Sequence, residues 1–210
     1  MTGARDADPV WRAFLAEPAS YIHPSRLIGA LNNELSAELC DSLRECERLR
    51  GRLSAVIASR AALPDPAPTD VADPQDRDIA TAPADELAAI ISRAGAVYWA
   101  SAMAGAVRGQ HVAALEGALG AELCRFAVKH RELAGPAQPL EPYETLRERV
   151  VADGWRCYEA WCDAVPPAIG ARARLKSPAG EDEGGRGDPF FAKVGPAIIR
   201  RAAMQGSDNG

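Results

Sequence analysis

Apolar residues in this chain recur at helical spacing and almost never alternate. Val151, Trp155, Tyr158, Cys162 and Val165 trace one helical stripe, broadened by Val150, Cys157 and Trp161. Leu35, Leu39, Cys46, Leu49, Leu53 and Val56 fall on a seven-residue seam with Ser42 in its missing slot, and Arg44, Glu45, Glu47, Arg48 and Arg52 lie off it. Residues three and four apart share a helix face, whereas a half-buried strand needs every second residue apolar. Alternating β-branched runs are nearly absent. The expected fold is therefore all-α, a single irregular helical bundle over 1–210.

Prolines and caps divide the stripes into elements. Asp8 to Ala16 predicts a short first helix presenting Trp11, Phe14 and Leu15. Between Pro18 and Pro24 the chain should run extended, because proline fixes φ and bars its predecessor from the helical region; Pro24 or Ser25 then opens a second segment. The seam beginning at Leu35 predicts one long amphipathic helix. Packing within the bundle suits that seam, and an intermolecular coiled coil is the other arrangement it supports. Pro64–Pro83 holds five prolines and five aspartates against Arg77 alone, a net charge of −4. Such a stretch cannot bury enough apolar area to offset chain entropy, and it predicts a flexible loop over 64–83.

Helical signals resume at Asp85-Glu86, acidic residues suited to a first turn, and Leu87, Ile90, Ile91, Ala94, Val97 and Tyr98 follow at helical spacing. A further helix is predicted over about 110–133, with Val112, Leu115, Leu119, Leu123, Phe126 and His130 on one face, until Gly135-Pro136 stops it. Pro166-Pro167 ends the aromatic stripe, and the basic piece Arg172-Ala173-Arg174-Leu175-Lys176 follows. Residues 177–187, rich in Gly and Glu, predict a mobile segment, and 205–210 a disordered tail. Asp188-Pro189 caps a last helix carrying Phe190, Phe191, Val194 and Ile198, which Gly195-Pro196 should bend or split.

Charge and cysteine content narrow the function classes. A net charge of −5 and a pI near 5.3 argue against a nucleic-acid binder, which needs a concentrated basic face. The five cysteines are an odd number scattered through helix-like sequence, and the polar segment Met1 to Asp8 does not read as a secretory signal. Reduced thiols and a cytoplasmic location are expected. The longest apolar run, Ala94 to Val107, has 14 residues, short of the roughly 20 a bilayer span requires, so no direct membrane insertion is expected.

No motif in the sequence carries catalytic or metal chemistry. Cys40 with Cys46 and Cys157 with Cys162 lack the spacing of zinc knuckles, and thiols on apolar stripes behave as small hydrophobes. His23, His111 and His130 are widely separated, and neither a nucleophile elbow nor a glycine-rich phosphate loop is present. No catalytic, metal or cofactor residues are expected, and the chain reads as a non-enzyme. A helical enzyme with a dispersed site would require a deep polar pocket gathering His111 or His130 with carboxylates. Arg172, Arg174 and Lys176 suit a protein-docking surface or a solvated helix terminus better than a phosphate or lipid site. Tyr21, His23 and Arg26 form the other candidate protein-binding set: Tyr21 and Ile22 are placed to clasp the bundle, His23 and Arg26 to face a partner. Trp155 and Trp161 are expected in the core.

Three stretches carry a family resemblance. Pro18-Ala19-Ser20-Tyr21-Ile22-His23-Pro24-Ser25-Arg26-Leu27 resembles the N-terminal signature of the accessory cytoplasmic protein of type III secretion systems, the SctK family, and looks closest to its Hrp-type branch. Leu87 to Leu133, with Leu119-Gly120-Ala121-Glu122-Leu123-Cys124-Arg125-Phe126, is similar to that family's central helices. Gly154-Trp155-Arg156-Cys157 through Trp161, Pro166 and Arg172 to Pro178 resembles its C-terminal tryptophan helix and basic ending. The resemblance implies a non-enzymatic helical adaptor, peripheral at the cytoplasmic face of the inner membrane. Its implied partners are the cytoplasmic domain of the ring protein SctD, the pod protein SctQ and, in the same platform, SctL. A secretion chaperone or regulatory binding protein is the alternative, and the absence of a 34-residue repeat counts against its tetratricopeptide form.

Overall fold

Asp8 fixes the first helix: its Oδ1 accepts from the Val10 N–H at 2.9 Å, and Pro9 occupies the first helical position, where no donor is needed. The computed structural model describes residues 8–31, 36–66, 73–106, 109–180 and 188–204. Among them every regular element is helical, and the fold is an all-α bundle. In chain order the helices are α1 Pro9–Ala16, α2 Pro24–Ala30, α3 Ala37–Glu45, α4 Glu47–Arg60, α5 Pro74–Thr81 and α6 Ala84–Tyr98. They continue as α7 Ala100–Ala104, α8 Gly109–Leu119, α9 Ala121–Lys129, α10 Leu146–Ala164, α11 Pro167–Arg174 and α12 Pro189–Met204. No described helix is long and apolar enough to cross a membrane.

The chain packs as two units: Met1–Ala84 with Cys162–Gly180, and Asp85–Trp161 with Glu181–Gly210. In the first, Ala19, Ile22, Leu27, Cys40, Leu53, Ile57 and Leu175 form the buried cluster, with Tyr21, Leu31 and Leu63 packed against it. Ile22, Leu27 and Ile57 are essentially inaccessible, and burying such a side chain stabilises by about 1.5–3 kcal/mol. The predicted extended link is more ordered than expected. Pro18–Ser20 make a 3-10 turn against α4, where the buried Ala19 N–H donates to Ser54 Oγ at 3.3 Å. Only from Tyr21 to His23 does the backbone run outside helix.

The second unit is organised by a close approach of α6 and α10. A Cβ on Gly154 would stand 2.1 Å from the Ile91 carbonyl oxygen, and one on Gly95 1.8 Å from that of Val150. Only hydrogen fits at either place. Beside this crossing the Trp99 Nε1–H donates to Asp153 Oδ2 at 2.8 Å, and Asp153 Oδ1 accepts from Arg156 at 3.1 Å. That pairing satisfies a carboxylate and an indole that burial would otherwise make costly. Trp161 is fully buried and stacks on Tyr158 with centroids 5.3 Å apart, whereas Trp155 meets the edge of Tyr158 and stays half-buried. Tyr98 stacks on Phe191 of α12 at 4.7 Å.

Four further predicted elements differ in the structure. The long seam helix is two helices, broken where Cys46 adopts φ −75° and ψ 98°. The break resets the phase, so Cys40, Leu53 and Ile57 are buried while Leu39, Leu49 and Val56 are exposed. The helix predicted over 110–133 is likewise divided, at Gly120, whose φ of 93° favours glycine; α9 and a 3-10 turn at Arg131–Leu133 follow. The expected flexible loop over 64–83 is helical in its second half: Asp73 caps α5, Pro74 opens it, and Ile79 and Ala80 are buried. Residues 67–72 of that loop lie outside the described residues, as do 181–187 of the expected mobile segment and the tail 205–210. Finally, α12 runs unsplit through Gly195-Pro196. Both residues are buried, and a Cβ on Gly195 would stand 2.9 Å from that of Ala160 and 3.2 Å from the Cys157 carbonyl oxygen of α10, so close packing holds the helix despite one lost hydrogen bond.

Candidate functional site

The two sets of candidate residues, far apart in sequence, meet in the first unit. His23 begins the junction. Its backbone N–H donates to the Leu175 carbonyl at 2.7 Å, and its extended backbone makes it the N-cap of α2. The imidazole Nδ1 accepts from the Ser25 N–H at 3.3 Å and lies 2.8 Å from Ser25 Oγ, which itself accepts from the Ala179 N–H at 2.9 Å. Nδ1 can serve this way only when unprotonated. Partial burial and the nearby Arg26 and Arg44 guanidiniums hold the His23 pKa below the usual histidine range.

Arg26 completes the contact with the C-terminal piece. Its Nε donates to the Ser177 carbonyl at 2.6 Å and its Nη2 to Ser177 Oγ at 2.8 Å. Arg172 is almost wholly buried and binds three carbonyls: Leu15 at 2.9 Å, Pro64 at 2.7 Å and Ala168 at 3.0 Å. Leu15 and Ala168 lie in α1 and α11, and Pro64 follows α4, so one planar fork ties three parts of the unit together. Arg174 pairs with Asp163. Lys176 donates to the Ala80 and Ala82 carbonyls at the end of α5, where a cation also complements the helix dipole.

An aromatic ladder runs behind these cations. Tyr21 stacks on Phe14 at 5.2 Å and Phe14 on Trp11 at 5.3 Å. The Lys176 ammonium lies 5.5 Å from the Tyr21 ring centre, and the Arg77 guanidinium covers Trp11 at 4.6 Å. The Tyr21 O–H donates to the Phe14 carbonyl at 2.8 Å, and burial holds its pKa above the usual range.

The six residues are therefore brought together, but their hydrogen-bonding atoms are turned largely inward, onto carbonyls. Tyr21, His23, Arg26, Arg174 and Lys176 keep half-exposed edges, and Arg172 is buried. The one hydroxyl beside an imidazole here, Ser25 Oγ at 2.8 Å from His23 Nδ1, also accepts from the Ala179 N–H and forms part of the cap of α2. Elsewhere, in the second unit, a groove of about 540 Å³ is lined by His111, Tyr143 and Glu141 among others. His111 Nδ1 is 2.8 Å from the Tyr143 hydroxyl, and Glu141 is exposed. No group of His, Cys, Asp and Glu among the described residues is arranged to hold a metal ion. Sequence reasoning missed Arg77, which sits in the acidic stretch, and the Trp99–Asp153–Arg156 set. A carboxylate inside the apolar stripe of α10 was the available signal for that set.

The model of the family described as YOP proteins translocation protein K (YscK) matches residues 12–202. The chain belongs to the YscK family. The matched region takes in both halves of the Tyr21–Lys176 junction and nearly every described helix. Among the relatives, nodulation protein NolU of Rhizobium fredii and of Sinorhizobium fredii is 27% identical over 172 residues, spanning 79% of this chain and 74% of NolU. No solved structure matches. Family membership agrees with the resemblance read from the sequence at a coarse level: the chain is a distant relative of type III secretion accessory proteins.

Proposed function

We propose that this protein is a non-enzymatic adaptor of a bacterial type III secretion system, working at the cytoplasmic face of the inner membrane. It would link the cytoplasmic domain of the ring protein SctD to the pod protein SctQ, with SctL in the same platform. The observation that carries this reading is the family match over residues 12–202, on an all-α fold with no group arranged to hold a metal ion among the described residues. The Hrp-type branch is proposed on the segment 18–27.

The half-exposed edges of Tyr21, His23, Arg26, Arg174 and Lys176 are proposed as a partner-facing surface. Arg172 supports it from behind by holding α1 and α11 in place. Affinity purification with crosslinking from the native cell tests the adaptor reading. Recovery of SctD and SctQ homologues supports it; their absence alongside a chaperone–substrate pair would favour the chaperone alternative and overturn it.

A further inference from the structure

In the second unit a groove of about 580 Å³ runs between α6 and α9. Its floor is the buried ring of Phe126 with half-buried Leu123, and its rim carries Arg93, Arg125 and Lys129 against one carboxylate, Glu122. Glu122 reaches Arg125 only at 4.0 Å with both side chains largely exposed, so it neutralises little. Lys129 has no ion-pair or hydrogen-bond partner among the described residues. Arg93 is half-buried at the groove, and Glu86 of the same helix also acts on its charge. A cationic rim is thus concentrated around an apolar floor on a chain whose net charge is −5.

We infer that this groove docks an acidic amphipathic segment of a partner protein, which seats an apolar side chain against Phe126 and Leu123 and presents carboxylates to Arg93, Arg125 and Lys129. The floor selects the class of ligand. A phosphate or a nucleic-acid backbone gains nothing from an aromatic ring edge and a leucine, and a long polyanion meets the repulsion of an acidic chain. A short acidic segment does not, because charges beyond about 8 Å are screened at physiological salt. A helix in the groove would place its apolar anchors one turn apart with carboxylates beside them.

The inference rests on the adaptor reading in taking the ligand to be a protein. The test uses the full chain and two synthetic helical peptides with the same leucine anchors, one flanked by glutamates and one by lysines. The glutamate peptide should bind more tightly by at least about tenfold at low salt, with the gap closing as salt rises. Replacing Arg125→Glu and Lys129→Glu together, both at exposed positions, should invert the preference while lowering the thermal midpoint only slightly, because acidic residues oppose the dipole at the end of α9. Equal binding of the two peptides would overturn the inference. So would displacement of the glutamate peptide by sodium phosphate or a DNA duplex beyond the effect of chloride at matched ionic strength. Because the probes are synthetic, failure here leaves the adaptor reading standing, and failure to recover platform proteins leaves the groove's preference standing.

Discussion

Arg26 Nε donates to the carbonyl oxygen of Ser177 at 2.6 Å, across a separation of 151 residues. That bond, with the His23 N–H on Leu175, binds the start of α2 to the end of the basic piece. Two stretches that the resemblance singles out separately are one structural object.

The Arg172 clamp gives the first prediction. Arg172→Ala removes three bonds from a buried guanidinium to carbonyls of α1, α11 and the segment after α4 at once, a loss of about 2–4 kcal/mol. Arg172→Lys should recover only a small part, since an ammonium cannot reproduce the planar fork. Urea denaturation of both variants checks this; equal stability of Lys and Arg would show that charge alone suffices.

Glycines separate steric need from indifference. Gly154→Ala forces a methyl to 2.1 Å from the Ile91 carbonyl oxygen and should cost about 1–3 kcal/mol or more. Gly51→Ala, on an open face of α4 with nothing within 4 Å, should stabilise by about 0.5–1 kcal/mol. Thermal midpoints moving in opposite directions are the expected result.

Trp161→Ala should destabilise by about 3–5 kcal/mol because that ring is fully buried in its stack on Tyr158. Trp155→Ala should cost clearly less, its ring being half-buried. Near-identical denaturation midpoints for the two variants would contradict the placement of these rings.

His23 predicts a pH dependence of defined sign. Its folded pKa lies below the unfolded value near 6.5, so the unfolded chain binds the extra proton. The stabilisation is present in full above that value and is lost as pH falls through it toward the folded pKa. His23→Asn keeps a side chain able to cap α2 and should remove this slope. Stability measured from pH 7.5 to 5 in both proteins reads it directly; an unchanged slope in the variant would assign the effect elsewhere.

What the sequence reveals depends on the range of the interaction. Asp8-Pro9 and Asp188-Pro189 are local cap signals and mark true helix starts. Asp73-Pro74 is the same signal, but it lies in an acidic, proline-rich stretch whose composition points to a loop; the buried Ile79 and the Arg77–Trp11 contact are what make it a helix. The seam misleads because the break at Cys46 restarts the helical phase, leaving Leu49 and Val56 outside and Leu53 and Ile57 inside. At the junction, Tyr21, Arg26, Arg172 and Lys176 are individually legible as candidates. That their donors serve carbonyls brought in from other parts of the chain is a tertiary fact, with no periodic trace.

As proposed, one chain joins two platform proteins. Size-exclusion chromatography with light scattering, on the purified full chain mixed with the SctD cytoplasmic domain and with SctQ from the same organism, tests it most directly. A binary complex with each and a ternary complex with both are expected. Binding to neither, or two binary complexes that exclude one another, would contradict it.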